Sequence, residues 1–279
     1  MNILDALIMG IVQGLAEYLP ISSSGQLEIC HQLLGLDTSG ADALQFDITL
    51  HVATVLSTIV VLWKEFSKIC TSVLRWKRDD DFWTFWKIIV SCIPVAIVGV
   101  CFKDVIEEFY GGRLGIVGVC LIATAALLLF AYFFRTRPVT YGRGSSSSDT
   151  VGHPIGWIDA FTMGIAQAVA VLPGLSRSGS TIATGIIMGN KRDAVAKFSF
   201  LMVIIPILGE ALLDIVKSFK GAEAAESAIG AGAIIVGFLS AFIVGCLACQ
   251  WMINLVKQGK LVWFAAYCIA AGVLCLIFG

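Results

Sequence analysis

Residues 5–26 read DALIMGIVQGLAEYLPISSSGQ, and residues 159–180 read DAFTMGIAQAVAVLPGLSRSGS. The two stretches align without a gap. Identical pairs are Asp5/Asp159, Met9/Met163, Gly10/Gly164, Gln13/Gln167, Ala16/Ala170, Ser22/Ser176, Ser24/Ser178 and Gly25/Gly179. Each copy is an apolar run that stops at a proline and opens into a Ser-Gly loop. In a membrane chain, interrupted apolar segments at matching places in two halves point to the binding site. The first copy adds a carboxylate, Glu17; the second adds a guanidinium, Arg177.

Working outward, 58% of the 279 residues are hydrophobic and 14% are charged. A soluble domain cannot solvate such a surface, so the chain reads as an all-α, polytopic membrane protein. The net charge of −1 implies no nucleic acid or other polyanion as partner. Asp5 stands where a signal peptide would carry Lys or Arg, so no cleaved leader is expected. The nine cysteines are scattered through apolar runs and read as small hydrophobes. Cys246 and Cys249 have a metal-like spacing but no second pair.

Six apolar runs have the length of spans: 48–63, 86–102, 114–134, 198–216, 229–253 and 261–278. The repeated segments, 3–20 and 157–173, are apolar too. Each is broken by Pro and Ser/Gly before a second short helix. Such a segment is expected to be a re-entrant helical hairpin, tolerated at membrane depth when buried in protein or lining a polar cavity. The polar stretch RTRPVTYGRGSSSSDTVGHP, 135–154, reads as a flexible linker. The expected organisation is therefore a first repeat over 1–134, a cytoplasmic linker over 135–156, and a second repeat over 157–279. Lys and Arg after the first span, in the linker, before the fourth span and between the fifth and sixth all fall on one side. The positive-inside rule makes that side cytoplasmic and the two repeats inverted.

Several residues can do chemistry. Arg177 stands among Ser176, Ser178, Ser180 and Thr181 at a helix start, an arrangement suited to phosphate. Glu17 lies one turn after Gln13, so both face one side, as metal ligand or general base. One of Ser22, Ser23 and Ser24 is expected to cap the next helix; another remains for the site. Asp47 and His51 are one turn apart and form a further candidate pair, whereas His31 and His153 read as surface residues.

GIVQGLAEYLPISSSG (10–25) and LPGLSRSGST (172–181), with FDITLHVATVL (46–56) and AKFSFLMVIIP (196–206), resemble the membrane undecaprenyl-diphosphate phosphatases of the bacitracin-resistance family. The resemblance covers essentially the whole chain. It implies six spans plus two re-entrant helical hairpins in two inverted-topology repeats, in the bacterial plasma membrane, with the site facing outward. It implies hydrolysis of undecaprenyl diphosphate to undecaprenyl phosphate, which recycles the carrier for cell-wall polymers and gives bacitracin resistance. Carried over by motif, Glu17, Ser23 and Arg177 are catalytic. Ser24, Ser176, Ser178, Thr181 and Gln26 bind phosphate. Glu17 and Gln13 hold a divalent cation, Mg2+ or Ca2+. The partners implied are the polyprenyl diphosphate lipid and the bilayer, and a homodimer is left open. Gln13 stands where many members have Glu, and Gln26 stands where the family usually has His. Either that His is dispensable, or His51 takes over, or activity is altered. A polyprenyl-phosphate flippase or transporter on the same scaffold is the alternative.

Overall fold

Asn2 begins the first helix by accepting from the Asp5 amide at 2.8 Å, while the Asp5 carboxylate accepts from the Asn2 amide at 3.1 Å. The second copy keeps one half of this device: the Gly156 amide donates to the Asp159 carboxylate at 2.8 Å. The aligned acids therefore start aligned helices, each satisfying amides that a helix leaves unpaired.

The computed structural model describes residues 1–36, 41–102, 114–135, 152–220 and 229–279. Among these, every regular element is an α-helix, and one isolated bridge pairs His153 with Asn190. The first half contains α1 (Ile3–Ala16), α2 (Ser23–Leu34), α3 (Ala41–Val61), α4 (Trp63–Leu74), α5 (Asp80–Cys101) and α6 (Leu114–Arg135). The second contains α7 (Trp157–Val169), α8 (Arg177–Met188), α9 (Arg192–Met202), α10 (Ile204–Lys220), α11 (Ala231–Gln258) and α12 (Val262–Phe278). Most of the expected linker, 136–151, lies outside the described residues. Its end is pinned, because His153 donates its amide to Gly189 and accepts from the Lys191 amide.

The helices pack as α1 on α11, α7 on α5 and α6 on α12. Small residues allow these close approaches, as is usual between membrane helices. A Cβ on Gly14 would lie 2.8 Å from the Ala241 carbonyl oxygen and 2.9 Å from the Gly245 nitrogen. A Cβ on Gly118 would meet the Gly272 carbonyl oxygen at 2.8 Å, so α6 and α12 touch backbone to backbone.

Among the described residues, four helical stretches are long and apolar enough to cross a membrane: α5, α6, residues 192–213 of α9–α10, and α11. Several apolar helices of this length make this a multi-pass membrane protein. The first predicted span corresponds to α3, which turns by 85° at Leu62 into α4; counted as one bent pair, these give a fifth. The turn follows from composition. Beyond Leu62, α4 is amphipathic, burying Ile69 and Ser72 and exposing Lys64 and Lys68. The Lys197 ammonium holds it to α9 by donating to Glu65 at 2.6 Å. The sixth predicted run forms α12, whose 17 residues are shorter than a spanning helix of ~20. The fourth begins earlier than predicted, at Arg192.

Candidate functional site

Both interrupted segments form a helix, a tight loop and a second helix. Ser22 caps α2, accepting from the Gly25 amide at 3.3 Å, and Ser176 caps α8, accepting from the Gly179 amide at 3.0 Å. The aligned serines thus do the same work. Their backbones differ, since Ser22 has φ +66° and Ser176 has φ −73°. A non-glycine residue at positive φ is uncommon and costly, and such residues cluster at ligand sites. In the second loop Gly174 takes the positive φ instead, at +88°.

The two loops meet. A Cβ on Gly25 would lie 3.1 Å from Gly174 Cα, and a Cβ on Gly179 would lie 3.1 Å from Pro20 Cβ. Gly25 aligns with Gly179 and Pro20 with Gly174, so the contact is reciprocal. Ser178 Oγ fastens it by donating to the Leu19 carbonyl at 3.1 Å. Helices α2 and α8 therefore begin side by side, with Ser23 first in one and Arg177 first in the other.

Glu17 lies at this junction. Arg177 Nη2 donates to Glu17 Oε1 at 3.0 Å. Ser23 Oγ and Gln13 Nε2 each donate to Glu17 Oε2 at 2.9 Å. His51 Nε2 stands 3.6 Å from the same oxygen. The Glu17 side chain is 7% exposed and that of Arg177 24%. Neither helix can place these groups alone: the ion pair joins residues 160 apart in the chain. Beside it lies a cavity of about 10 Å³, lined by Glu17, Tyr18, Thr54, Thr58, Arg177 and Thr181 among others. That is about the least space that holds one water.

The remaining expected residues fall elsewhere. Ser176 Oγ serves as the cap just described, and its amide donates to Thr124 Oγ1 at 3.0 Å. Thr181 Oγ1 donates to the Arg177 carbonyl at 2.9 Å and pairs with Ser199 Oγ at 2.5 Å. Together with Ser178, these hydroxyls hold the loop that carries Arg177. Ser24 is half-buried, 3.4 Å from Ser22 Oγ. Gln26 is not beside Glu17's partners: its Nε2 donates to the Ile21 carbonyl at 3.0 Å, and its Oε1 accepts from the Tyr267 hydroxyl at 2.7 Å. The amide thus bridges the loop, at Ile21, and α12, at Tyr267. Asp47 does not touch Glu17. Its backbone carbonyl accepts from His51 Nδ1 at 2.8 Å, and its carboxylate lies 3.4 Å from His31 Nε2. His31, expected at the surface, is 4% exposed, because α2 turns it inward onto Asp47. His153 is exposed as expected, although its ring contacts Met188 and Pro154 carbonyls.

Sequence reading missed a hydroxyl cluster. The Tyr18 hydroxyl donates to the Thr54 carbonyl at 2.6 Å and contacts Ser57 and Thr58, at 2.8 Å for Thr58. Thr54, Ser57 and Thr58 are spaced three and four apart in an apolar span, a polar stripe that was legible. Ser199 gives no such signal.

The donor set argues against a cation caged by protein. Among the described residues, no three His, Cys, Asp or Glu side chains gather at one point. Both Glu17 oxygens already accept hydrogen bonds, one from a guanidinium. Gln13 turns its nitrogen to Glu17 and leaves its oxygen buried without a partner. Glu17 and Gln13, expected to share an ion, do not present two oxygens to one point in this structure.

The bacitracin resistance protein BacA family profile matches residues 6–274. The chain belongs to this family. An undecaprenyl-diphosphatase of Bacteroides thetaiotaomicron is 50% identical over 277 residues, covering 99% of each chain. One from Christiangramia forsetii is 40% identical over 278 residues, covering 100% of this chain and 98% of its own. One from Oceanobacillus iheyensis is 34% identical over 284 residues, covering 99% and 97%. Within the family's span lie both loops, the Glu17–Arg177 pair and Ser23.

Proposed function

We propose that this chain hydrolyses undecaprenyl diphosphate to undecaprenyl phosphate and inorganic phosphate, recycling the carrier for cell-wall polymers and giving bacitracin resistance. The observation that carries this is the Arg177–Glu17–Ser23 cluster at the meeting of two helix starts. The names of full-length relatives support the same reaction.

The architecture proposed is six spans and two re-entrant hairpins in inverted repeats, with α1–α2 and α7–α8 as the hairpins. The reciprocal Gly25–Gly174 and Gly179–Pro20 contacts support it, since two-fold-related loops touch in this way. The repeats occupy 1–134 and 157–279, joined by a cytoplasmic linker over 135–156. The protein sits in the bacterial plasma membrane with the site facing outward.

Arg177 binds the diphosphate and stabilises charge developing on the transferred phosphoryl group. The positive ends of α2 and α8 favour the same anion. Glu17 holds Arg177 and Ser23 in place before substrate arrives, so little reorganisation is needed. Ser23 Oγ, already donating to a carboxylate, is positioned as nucleophile or as phosphate donor. Ser176, Ser178 and Thr181 fix the backbone that carries Arg177, and Ser24 lies beside the cap residue Ser22. A divalent cation, Mg2+ or Ca2+, enters this reading as counter-ion of the diphosphate, part of the substrate.

The test is phosphate release from undecaprenyl diphosphate by purified protein in detergent, where transport is impossible. Release by wild type that is lost in Glu17→Ala, with the variant still folded, is expected. No release by folded wild type overturns the hydrolase in favour of a lipid-phosphate flippase.

A further inference from the structure

Gln26 follows SSSG directly, at the loop that carries Ser23. Its amide is engaged at both ends, by the Ile21 carbonyl and the Tyr267 hydroxyl. An imidazole is present at the carboxylate. His51, on α3, places Nε2 3.6 Å from Glu17 Oε2, the oxygen to which Ser23 donates. Its other nitrogen lies 2.8 Å from the Asp47 carbonyl oxygen. A carbonyl only accepts, so Nδ1 carries the hydrogen. This fixes the tautomer: Nε2 is the nitrogen free to exchange a proton, and it faces the site. Asp47 is in turn steadied by His31, whose Nε2 lies 3.4 Å from both carboxylate oxygens.

We propose that His51 is the proton-accepting residue of this site, oriented by the Asp47 carbonyl, and that Gln26 ties the loop to α12. The inference rests on the hydrolase reading above. The fold, rather than sequence spacing, brings a hydroxyl, an imidazole and its orienting carbonyl together, with Ser23 and His51 meeting at one carboxylate oxygen, Glu17 Oε2. In the step, the attacking hydroxyl gives its proton to His51 Nε2, by way of Glu17 Oε2 when Ser23 is the attacker, as its oxygen bonds to the terminal phosphorus. The bond from that phosphorus to the bridging oxygen breaks. Undecaprenyl phosphate leaves with the electron pair, and the proton passes from Nε2 to the leaving phosphate. With water as attacker the balance closes at once. With Ser23, a second cycle with water releases phosphate. Asp47 is a positioning residue, acting only through His51.

The experiment measures phosphate release by wild type, His51→Ala, His51→Gln, and His51→Ala combined with Gln26→His, with melting temperatures in the same detergent. His51→Ala is expected to lose about 10²–10³ in kcat, the usual contribution of a positioned base. KM should change far less. Added imidazole should restore at least about tenfold of the lost kcat, as expected for a missing general base and not for a missing packing group. His51→Gln keeps a donor toward Asp47 without a base. It should melt like wild type and remain slow, which covers the case in which the alanine variant does not fold. The double variant should stay as slow as His51→Ala. Near-wild-type kcat in either single variant, a loss that imidazole does not touch, or recovery through Gln26→His would each overturn the role of His51. Failure of wild type itself would strike the hydrolase reading instead.

Discussion

Replacing Arg177 by Ala removes the cation that donates to the Glu17 carboxylate at 3.0 Å. The Glu17 side chain is 7% exposed, so water cannot take over. Breaking a buried pair from one side costs about 3–5 kcal/mol. Ser23 and Gln13 still donate to Oε2 after the change, and each hydrogen bond to a charged group is worth roughly 1.5–3 kcal/mol. Those two contacts should hold the net destabilisation near ~2–3 kcal/mol. The effect on chemistry is larger. An arginine that stabilises transferred-phosphoryl charge contributes about 10³–10⁵ in kcat, or ~4–7 kcal/mol. The double variant Arg177→Ala with Glu17→Gln separates the two effects. It removes the stranded charge, so it should melt above Arg177→Ala while releasing no more phosphate. Arg177→Lys should fall between, because an ammonium keeps the charge and loses the planar fork. The assays are phosphate release in detergent and apparent melting temperature. Two results would refute the reasoning: a double variant less stable than Arg177→Ala, or one that recovers turnover.

Gly14→Val should destabilise the protein by at least ~1–3 kcal/mol, because its Cβ meets α11 backbone that cannot move aside. Gly99→Ala, inside α5 with nothing within 4 Å, should not lower the melting temperature and serves as its control. For the cation, calorimetry without lipid should show no Mg2+ binding tighter than ~1 mM, while chelation abolishes phosphate release. Saturable binding below about 100 μM in the absence of diphosphate would mean a protein-held site after all.

Much of the site was legible because the chain is duplicated. A cap was expected from one of Ser22, Ser23 and Ser24, and Ser22 supplies it; Ser176, expected at phosphate, caps α8 in the same way. Glu17 and Arg177 stood out as charges in apolar segments, and they pair. Less legible was which hydroxyls remain free. Ser176, Ser178 and Thr181 sit around Arg177 in sequence, yet their hydrogen bonds hold the loop. Gln26 follows the serines directly, yet helical geometry aims it at Tyr267. His31 carries no sequence mark of burial, because its partner Asp47 lies on another helix.

Composition and periodicity alone determined that this chain is helical and membrane-embedded, since apolar runs of this length have no other solvent. The duplicated Pro–Ser–Gly breaks alone determined where the helices stop, because proline lacks the amide and small polar residues cap. What only the tertiary structure decided is which of these local features meet. The Glu17–Arg177 pair, the Gly25–Gly174 contact and the approach of His51 all join residues distant in the chain. Such meetings depend on how closely α1 and α7 pack on their partners, a property of backbone shape at glycines that no local pattern encodes.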